Sequence, residues 1–285
     1  MNPNFSVPTK ICEDEHFGGP RRSQHHEMSN GTNLRNEKEE ALVKKTKVQS
    51  VFNLASDKKP VHCSLCGISY HKHQLKEVEV HKKYHDEYVN GIKWPKLDYM
   101  TLKTIVIKNS KKKMLASTVQ VKIIIVDKSC KKQVQKTEQL LTMVNKELSA
   151  PVDSQLWKDP KSSKSKAFIL VIKDRGVGIC TTDEIVNVEA QARWMIHGNQ
   201  TIVPRQVNNQ IKIGISRIWV APAWRRLGLA QLLLEIVQSE TDYGIKLKPQ
   251  EIAFSQPSTT GGLLAQNFNG VKHKSGEILI PVYIE

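Results

Sequence analysis

Four potential metal ligands stand close together near the start of the chain, at the spacing Cys63-x2-Cys66-x14-His81-x3-His85. Zinc favours a tetrahedron of sulfur and nitrogen ligands, and two cysteines with two histidines are among its commonest structural sets. Two histidines four residues apart lie on one face of a helix, so both rings can reach one ion. Because four protein ligands leave no open coordination position, the pattern predicts a structural zinc site, with His71 and His73 outside it.

A second group of residues lies at a predicted strand-to-helix junction, where Arg225-Arg226-Leu227-Gly228-Leu229-Ala230 opens the helix. The first N–H groups of a helix have no intrahelical partner, and the helix dipole makes this end positive. Gly228 and Ala230 allow an anion to approach the backbone closely, and Arg225 and Arg226 add positive charge. The turn therefore predicts a site for a phosphate group.

In this context the turn resembles the pyrophosphate loop, Q/R-x-x-G-x-G/A, of the GCN5-related N-acetyltransferases (GNAT). The strand before it, Gly214–Val220, is similar to a signature of the sister-chromatid cohesion acetyltransferases. The resemblance covers residues 63–95, 137–151 and about 166–285, in the order of that family, and the end of the chain looks like its fungal branch. Other segments that carry it are Gly91 with Trp94, Thr137–Asn145, Leu148–Pro151, Arg193–Met195, Tyr243-Gly244, Ala253–Pro257, Gly261-Gly262, His273–Gly276 and Pro281–Tyr283.

The resemblance implies a protein-lysine N-acetyltransferase that uses acetyl-CoA as co-substrate and zinc as a structural ion. Its implied substrate is the ATPase head subunit of cohesin, whose acetylation establishes sister-chromatid cohesion during S phase. It also implies that Ser216, Glu235 and Gln256 lie near the reacting lysine. Many animal members carry Asp where this chain has Gln256, and Gln cannot act as a base, so the general base stays open. The implied cofactor-binding residues are Ile218, Trp219, Val220, Arg225, Arg226, Leu227, Gly228, Leu229, Ala230, Gln231, Ser258, Thr259 and Thr260.

A short motif before the predicted finger suggests a further partner. Members of the family can carry Gln-x-x-hydrophobic there, docking on the replication sliding clamp, and Gln49–Phe52 matches this pattern. Short matches in polar tails also arise by chance. The clamp is therefore a hypothesis.

The elements that must position these residues follow from hydrophobic periodicity and turn signals. Strands alternate with helices from about residue 167 onward, which indicates an α/β layer structure. The predicted helices are Glu77–His85, 133–149, Leu229–Ser239 and Gly261–Phe268. The predicted strands are Leu102–Ile107 and Val119–Val126, which could pair as a hairpin, then Ala167–Ile172, Val177–Cys180, Arg193–Ile196, Ile211–Val220, Ile252–Phe254 and Ile278–Ile284.

Composition sets the remaining limits. The 285 residues include 43 Lys and Arg against 28 Asp and Glu, a formal charge of +15, which favours a polyanionic or acidic partner such as chromatin. Solubility alone also accounts for such a charge. No stretch approaches the roughly 18 apolar residues of a membrane span, so no membrane association is expected. Five cysteines, an odd and sparse set without a visible secretory signal, favour reduced thiols, and the basic balance favours the nucleus.

The predicted fold class is therefore α/β, a GNAT fold preceded by a Cys2His2 zinc finger and a disordered tail. An alternative is a zinc-finger DNA- or chromatin-binding protein whose acetyltransferase-like domain is inactive or acts on another target, such as histones. A gap of 14 residues and a single finger suit sequence-specific DNA reading poorly. The predicted boundaries are 1–58 for the tail, 59–97 for the finger, 98–132 for a variable segment and 133–285 for the acetyltransferase domain.

Overall fold

A computed structural model describes residues 59–109, 117–150 and 156–285. The chain divides into two units after Lys59, and the second, Pro60–Glu285, is compact. The predicted tail and the Gln49–Phe52 motif lie outside the described residues. Among the described residues, no helix is both long and apolar enough to cross a membrane.

The strands are β1 (Val61–His62), β2 (Ser69–Tyr70), β3 (Ile92–Lys93), β4 (Thr101–Asn109), β5 (Ser117–Ile125), β6 (Lys166–Ile172), β7 (Arg175–Glu184), β8 (Ala192–Ile196), β9 (Thr201–Val207), β10 (Ile213–Val220), β11 (Ile252–Phe254), β12 (Val271–Lys272) and β13 (Ile278–Tyr283). The helices are α1 (Leu75–Asn90), α2 (Lys131–Leu148), α3 (Val188–Gln191), α4 (Leu229–Glu240) and α5 (Thr259–Asn269).

One mixed sheet organises the second unit. Across the described residues its main strands lie in the order β4-β5-β6-β7-β10-β11-β13-β8-β9, while β3 and β12 pair with β7 and β13. Most neighbours are antiparallel, but β10 with β11 and β11 with β13 are parallel. Strands β6 and β7 are buried along almost their whole length, so the core lies at the middle of the sheet.

The two long helices after the finger bury the apolar stripes that their periodicity predicts. Helix α2 begins two residues before the predicted start and buries Leu140 and Val144. Helix α4 runs one residue beyond the predicted end and buries Leu233 and Val237. Residues four apart share a helix face, so each stripe packs on the core while charged residues face solvent.

The hairpin prediction is confirmed, because β4 and β5 pair antiparallel along their length. Ile105 and Ile107 lie opposite Val121 and Val119, and these side chains pack against the core. Strand β5 also pairs with β6, which makes residues 101–109 and 117–125 part of the main sheet. The lysine-rich turn between the two strands lies outside the described residues.

Two sequence-based predictions about strands between residues 200 and 220 were wrong. Strand β9 was missed, and β10 begins at Ile213 rather than Ile211. Strand β9 contains Pro204 and is largely exposed, and proline within a polar run argues against a strand except at an edge. The edge position is what accommodates the proline, and local sequence does not reveal it.

The predicted finger packs on the main sheet. Strand β3 pairs with the start of β7, and the buried Trp94 ring covers Gly176, where a Cβ would lie 2.9 Å from the ring. Arg175 on β7 contacts Asp86 of α1 at 2.8 Å and donates to the carbonyl of Gly91 at 2.7 Å. The finger helix is therefore fixed to the body of the protein by strand pairing, an ion pair and aromatic packing.

Gly91→Ala is expected to lower the free energy of unfolding by about 3 kcal/mol, because it combines backbone strain with a steric clash. Gly91 has φ 91°, and a Cβ there would lie 2.5 Å from the carbonyl oxygen of Gly176. Denaturant unfolding would measure the change. Gly276→Ala is the matched control, since Gly276 has φ 90° and open space around it. Equal losses in the two variants would show that the docking contact contributes nothing.

Candidate active site and metal centre

The four predicted metal ligands converge in the structure. The ligand atoms of Cys63, Cys66, His81 and His85 all lie within 4.8 Å of one another. The Cys63 sulfur is 3.4 Å from Nδ1 of His85, while Nε2 of His81 is buried and has no hydrogen-bond partner within the described part of the chain. An orphaned ring nitrogen facing two sulfurs is the donor set that zinc prefers, so the residues fit the predicted ion.

The two thiols differ in how readily they ionise. A hydrogen bond from the backbone of Cys66, and after it the nearby His81 ring, lower the pKa of Cys63 to about 5. Burial raises the pKa of the Cys66 thiol above its ordinary value. A cation between them would stabilise both thiolates, so this centre is completed by binding a metal.

Strand β10 diverges from its parallel neighbour after three paired residues. Ile213–Ile215 pair with Ile252–Phe254, and Ser255 N–H then donates to the carbonyl of Ile215 at 2.9 Å. A register shift against β7 at Ser216 marks the point of divergence. From here β10 has no strand partner on this side among the described residues. Its backbone edge is open to an extended ligand, such as the amide-containing arm of a carrier molecule.

The three residues predicted to line this opening have different environments. Ile218 is half-buried, whereas Val220 and Trp219 are buried. The Trp219 ring lies 6.5 Å from the ring of Tyr88 in the finger helix, and its indole N–H donates to Glu147. The Trp219 side chain therefore joins the finger to the sheet, which leaves its backbone groups for the predicted cofactor contact.

The predicted phosphate turn has the backbone geometry of an anion site. Arg226 has φ 65° and Gly228 has φ 76°, and α4 begins immediately afterwards. A Cβ on Gly228 would meet no atom within 4 Å, so the space in front of the turn is open. Arg226 and Gln231 are exposed there, whereas the Leu227 side chain packs on the core. The first N–H groups of α4 can thus point at a phosphate.

Arg225 plays a different part from the one that its position suggests. Its guanidinium contacts Glu147 at 2.7 Å and donates to the carbonyl of Val220 at 2.8 Å. Glu147 also accepts from Trp219. Arg225 therefore holds the end of β10 against α2, which positions the turn.

The second predicted cofactor loop begins α5. Ser258 is the N-cap, and its hydroxyl accepts the N–H of Gly261 at 3.2 Å. Thr259 and Thr260 are exposed beside it. Removing a Ser cap costs about 1 kcal/mol, so this residue also stabilises the helix.

A cavity of about 550 Å³ opens where β10 and β11 diverge. It brings together two of the three predicted catalytic residues, Ser216 and Gln256, and Ser258 lines it as well. The Ser216 hydroxyl is buried and lies 2.9 Å from the Thr181 hydroxyl, while the Ser216 carbonyl accepts from Ser255 at 2.9 Å. This cavity is the candidate site for the acetyl acceptor.

The third predicted catalytic residue, Glu235, lies elsewhere. It is exposed on α4, 3.9 Å from Nζ of Lys103, in a separate depression beside β4. A lone glutamate on an amphipathic helix usually meets solvent or a lysine. The structure does not bring Glu235 together with Ser216 and Gln256.

Sequence reasoning missed four polar residues at the cavity. Arg217, Tyr283 and Glu285 line it, and Asp183 accepts the Tyr283 hydroxyl at 2.8 Å behind the wall. Gly214 makes room for this arrangement, because a Cβ there would lie 2.5 Å from the Tyr283 ring. The sequence signals were that Arg217 and Tyr283 lie in segments that carry the resemblance, and that Asp183 is a carboxylate near the end of the apolar strand β7.

Asp183→Asn is expected to stabilise the protein increasingly, relative to wild type, as pH rises. Burial raises the pKa of Asp183 above its ordinary value of 3.8, and Tyr283 and Arg217 only partly oppose this. A carboxyl group whose pKa is higher in the folded than in the unfolded state stabilises the fold at low pH. This stabilisation is lost as pH rises through the folded-state pKa. Melting temperatures of both proteins between about pH 4 and pH 8 would measure the trend. A difference that is independent of pH would contradict it.

Acetyl-CoA contains a pyrophosphate and an extended arm that ends in a thioester, so it requires an anion-binding turn beside an open strand edge. The fold and the site together define a GNAT-type acetyltransferase with a zinc finger. The family models "ESCO1/2 acetyl-transferase" and "zinc-finger of acetyl-transferase ESCO" match residues 209–279 and 49–87. N-acetyltransferase ECO1 of Debaryomyces hansenii is 45% identical over 277 residues, covering 91% of this chain and 96% of the relative. At this identity and coverage, the chain belongs to the ECO1 family of N-acetyltransferases.

Other relatives carry the same name. N-acetyltransferase ECO1 of Kluyveromyces lactis is 33% identical, covering 84% of this chain and 97% of the relative. That of Saccharomyces cerevisiae is 32% identical, covering 82% and 92%. A solved xEco2 acetyltransferase domain bound to a K105-CoA conjugate is 25% identical, with a TM-score of 0.44, covering 58% of this chain and 93% of that domain. The predicted family, enzyme class and fold are confirmed. The individual site residues stay predictions.

Proposed function

We propose that this acetyltransferase transfers the acetyl group of acetyl-CoA to lysines of the cohesin ATPase head subunit, and thereby establishes sister-chromatid cohesion during S phase in the nucleus. Membership of the ECO1 family supports the proposal. The observation that carries it is a continuous path along β10, from the anion-binding turn at Gly228 through the open strand edge to the cavity at Ser216.

The cofactor would lie along this path. Backbone N–H groups of residues 228–231 would hold its pyrophosphate, with Arg226 adding charge. The edge of β10 at residues 218–220 would pair with the pantetheine arm, and N–H groups near Trp219 and Val220 would stabilise the oxygen that becomes negative during transfer. The loop at Ser258–Thr260 would close the other side.

The acceptor lysine must lose its charge before it can attack. With an ordinary pKa of about 10.4, deprotonating a lysine at pH 7 costs roughly 4.6 kcal/mol. A cavity that partly excludes water lowers this cost by destabilising the ammonium form. Gln256 can orient the amine by hydrogen bonding, but it cannot take the proton.

Mass spectrometry would test the proposal directly. Purified protein, acetyl-CoA and the cohesin ATPase head are incubated, and acetylated lysines are mapped, with Gly228→Asp as the inactive control. Acetylation of the head that the control lacks is expected. If the protein binds acetyl-CoA but does not acetylate the head, the proposed substrate is wrong. The absence of any acetyl-CoA-induced rise in melting temperature would favour the DNA-binding alternative.

Two partners extend the proposal. The charge of +15 favours association with chromatin, and Gln49–Phe52 favours the replication sliding clamp. A clamp pull-down should weaken when Gln49 and Phe52 are both changed to Ala. Unchanged capture would remove the clamp from the proposal.

A further inference from the structure

The acceptor cavity contains a single acidic residue. Among the residues that line it, Glu285 alone carries a carboxylate, and Ser216 and Gln256 face the same space. A lysine side chain entering this cavity would therefore meet one group able to accept a proton from its ammonium.

The carboxylate of Glu285 is held in place by a buried arginine. Oε1 of Glu285 is 2.7 Å from the guanidinium of Arg217, whose side chain is 4% exposed. Arg217 also donates to Oδ1 of Asn145 on α2 at 2.8 Å and to the carbonyl of Ser216 at 2.6 Å. The Glu285 side chain remains 25% exposed, so the carboxylate is fixed on one side and open on the other.

The other carboxylates are poorly placed for this task. Asp183 is buried, accepts the Tyr283 hydroxyl and is not among the residues that line the cavity. Glu235 lies in a different depression. Glu147 is engaged by Arg225 and Trp219 at the finger.

We propose that Glu285 is the catalytic residue that receives the ammonium of the acceptor lysine and takes its proton. This inference rests on the proposed acetyl transfer. The proton passes from lysine Nζ to the carboxylate of Glu285 and on to water at its exposed side. The neutral amine then attacks the thioester carbonyl carbon, the carbon–sulfur bond breaks, and the departing thiolate takes a second proton from the same nitrogen. The products are acetyl-lysine, coenzyme A and one released proton.

Arg217 assists this step through its charge. A guanidinium beneath the cavity repels a second cation, so it favours the neutral form of the incoming lysine. Without the carboxylate, the same guanidinium would repel the incoming ammonium. Glu285 and Arg217 together thus admit a lysine and favour its deprotonated state.

Glu285→Gln tests the inference, because the amide oxygen still accepts from Arg217 while the base is removed. At pH 7, kcat/KM for a lysine-containing peptide from the cohesin head is expected to fall about 100-fold. The deficit should shrink as pH rises toward 10, since more lysine is then neutral in solution. The rise in melting temperature produced by acetyl-CoA should stay as in wild type. Glu138→Gln is the matched control: Glu138 lies on α2 and pairs with Lys158, and this variant should behave as wild type.

The activity and pH profile of Glu285→Gln decide whether Glu285 is the base. A kcat/KM and pH profile equal to those of wild type would overturn the role of Glu285, as would a deficit that is constant with pH. If Glu285→Gln does not fold, Glu285→Asp retains a carboxylate and should keep the wild-type pH profile at a lower rate. Wild type that acetylates other lysine peptides but not the head peptide would overturn only the proposed substrate, and the variants are then compared on those peptides. Wild type that acetylates no lysine overturns both proposals.

Discussion

Gly228→Asp is expected to reduce the affinity for acetyl-CoA about 1000-fold and to abolish acetyl transfer. A carboxylate at this position would stand in the open space before the first N–H groups of α4. Two like charges about 4 Å apart repel by about 4 kcal/mol at an effective dielectric constant of 20, and 1.4 kcal/mol is tenfold in affinity. Isothermal titration with acetyl-CoA, together with single-turnover transfer, would measure both effects.

Backbone strain must be separated from this repulsion. Gly228 has φ 76°, and a residue with a side chain in the left-handed region costs about 1–2 kcal/mol. Gly244→Asp is the matched control, since Gly244 has φ 72°, is exposed and also faces open space. We expect similar losses of melting temperature in both variants but normal acetyl-CoA binding in Gly244→Asp. Normal binding by Gly228→Asp would show that the turn does not hold the pyrophosphate.

Local pattern was sufficient for the elements that carry the site. The four-residue spacing of apolar side chains predicts α2 and α4, and the continuous apolar run from Ala167 predicts the buried strand β6. The turn at Gly228 was predictable because its chemistry lies within six consecutive residues. The metal ligands were predictable because zinc fixes both their type and their spacing.

The acceptor cavity was not predictable in the same way. Arg217, Tyr283 and Glu285 meet only because β13 pairs with β11 and so reaches the divergence of β10. Nothing in the amino-acid sequence around Glu285 distinguishes it from a solvated acid at the end of a strand. Glu235 shows the converse, because the family resemblance implied a place near the reacting lysine, whereas the residue lies in a separate depression.

The docking of the finger shows why the metal matters beyond its own ligands. Asp86 directly follows the ligand His85 on α1, and Tyr88 lies about one turn beyond that histidine. These two residues contact Arg175 and Trp219 of the sheet. Trp219 belongs to the strand proposed to hold the cofactor. Loss of zinc should therefore loosen both the finger and the end of β10.

His81→Ala is expected to abolish zinc binding and lower the melting temperature by about 8–16 °C. Loss of a structural metal is among the few single changes that cost roughly 4 kcal/mol or more, and 1 kcal/mol shifts a domain of this size by about 2–4 °C. Zinc stoichiometry and thermal melts would measure the two effects. Wild type treated with a chelator should show most of this shift, and added zinc should reverse it.

His73→Ala is the matched control, because His73 is an exposed histidine in the same finger and outside the ligand cluster. It should keep one zinc and the wild-type melting temperature. The His81 ring also stacks on Tyr70, with centroids 4.1 Å apart, so part of the loss in His81→Ala is packing. The chelator isolates the metal contribution, because it leaves every side chain in place. A chelated wild type with an unchanged melting temperature would show that contacts such as Arg175–Asp86 hold the finger without zinc.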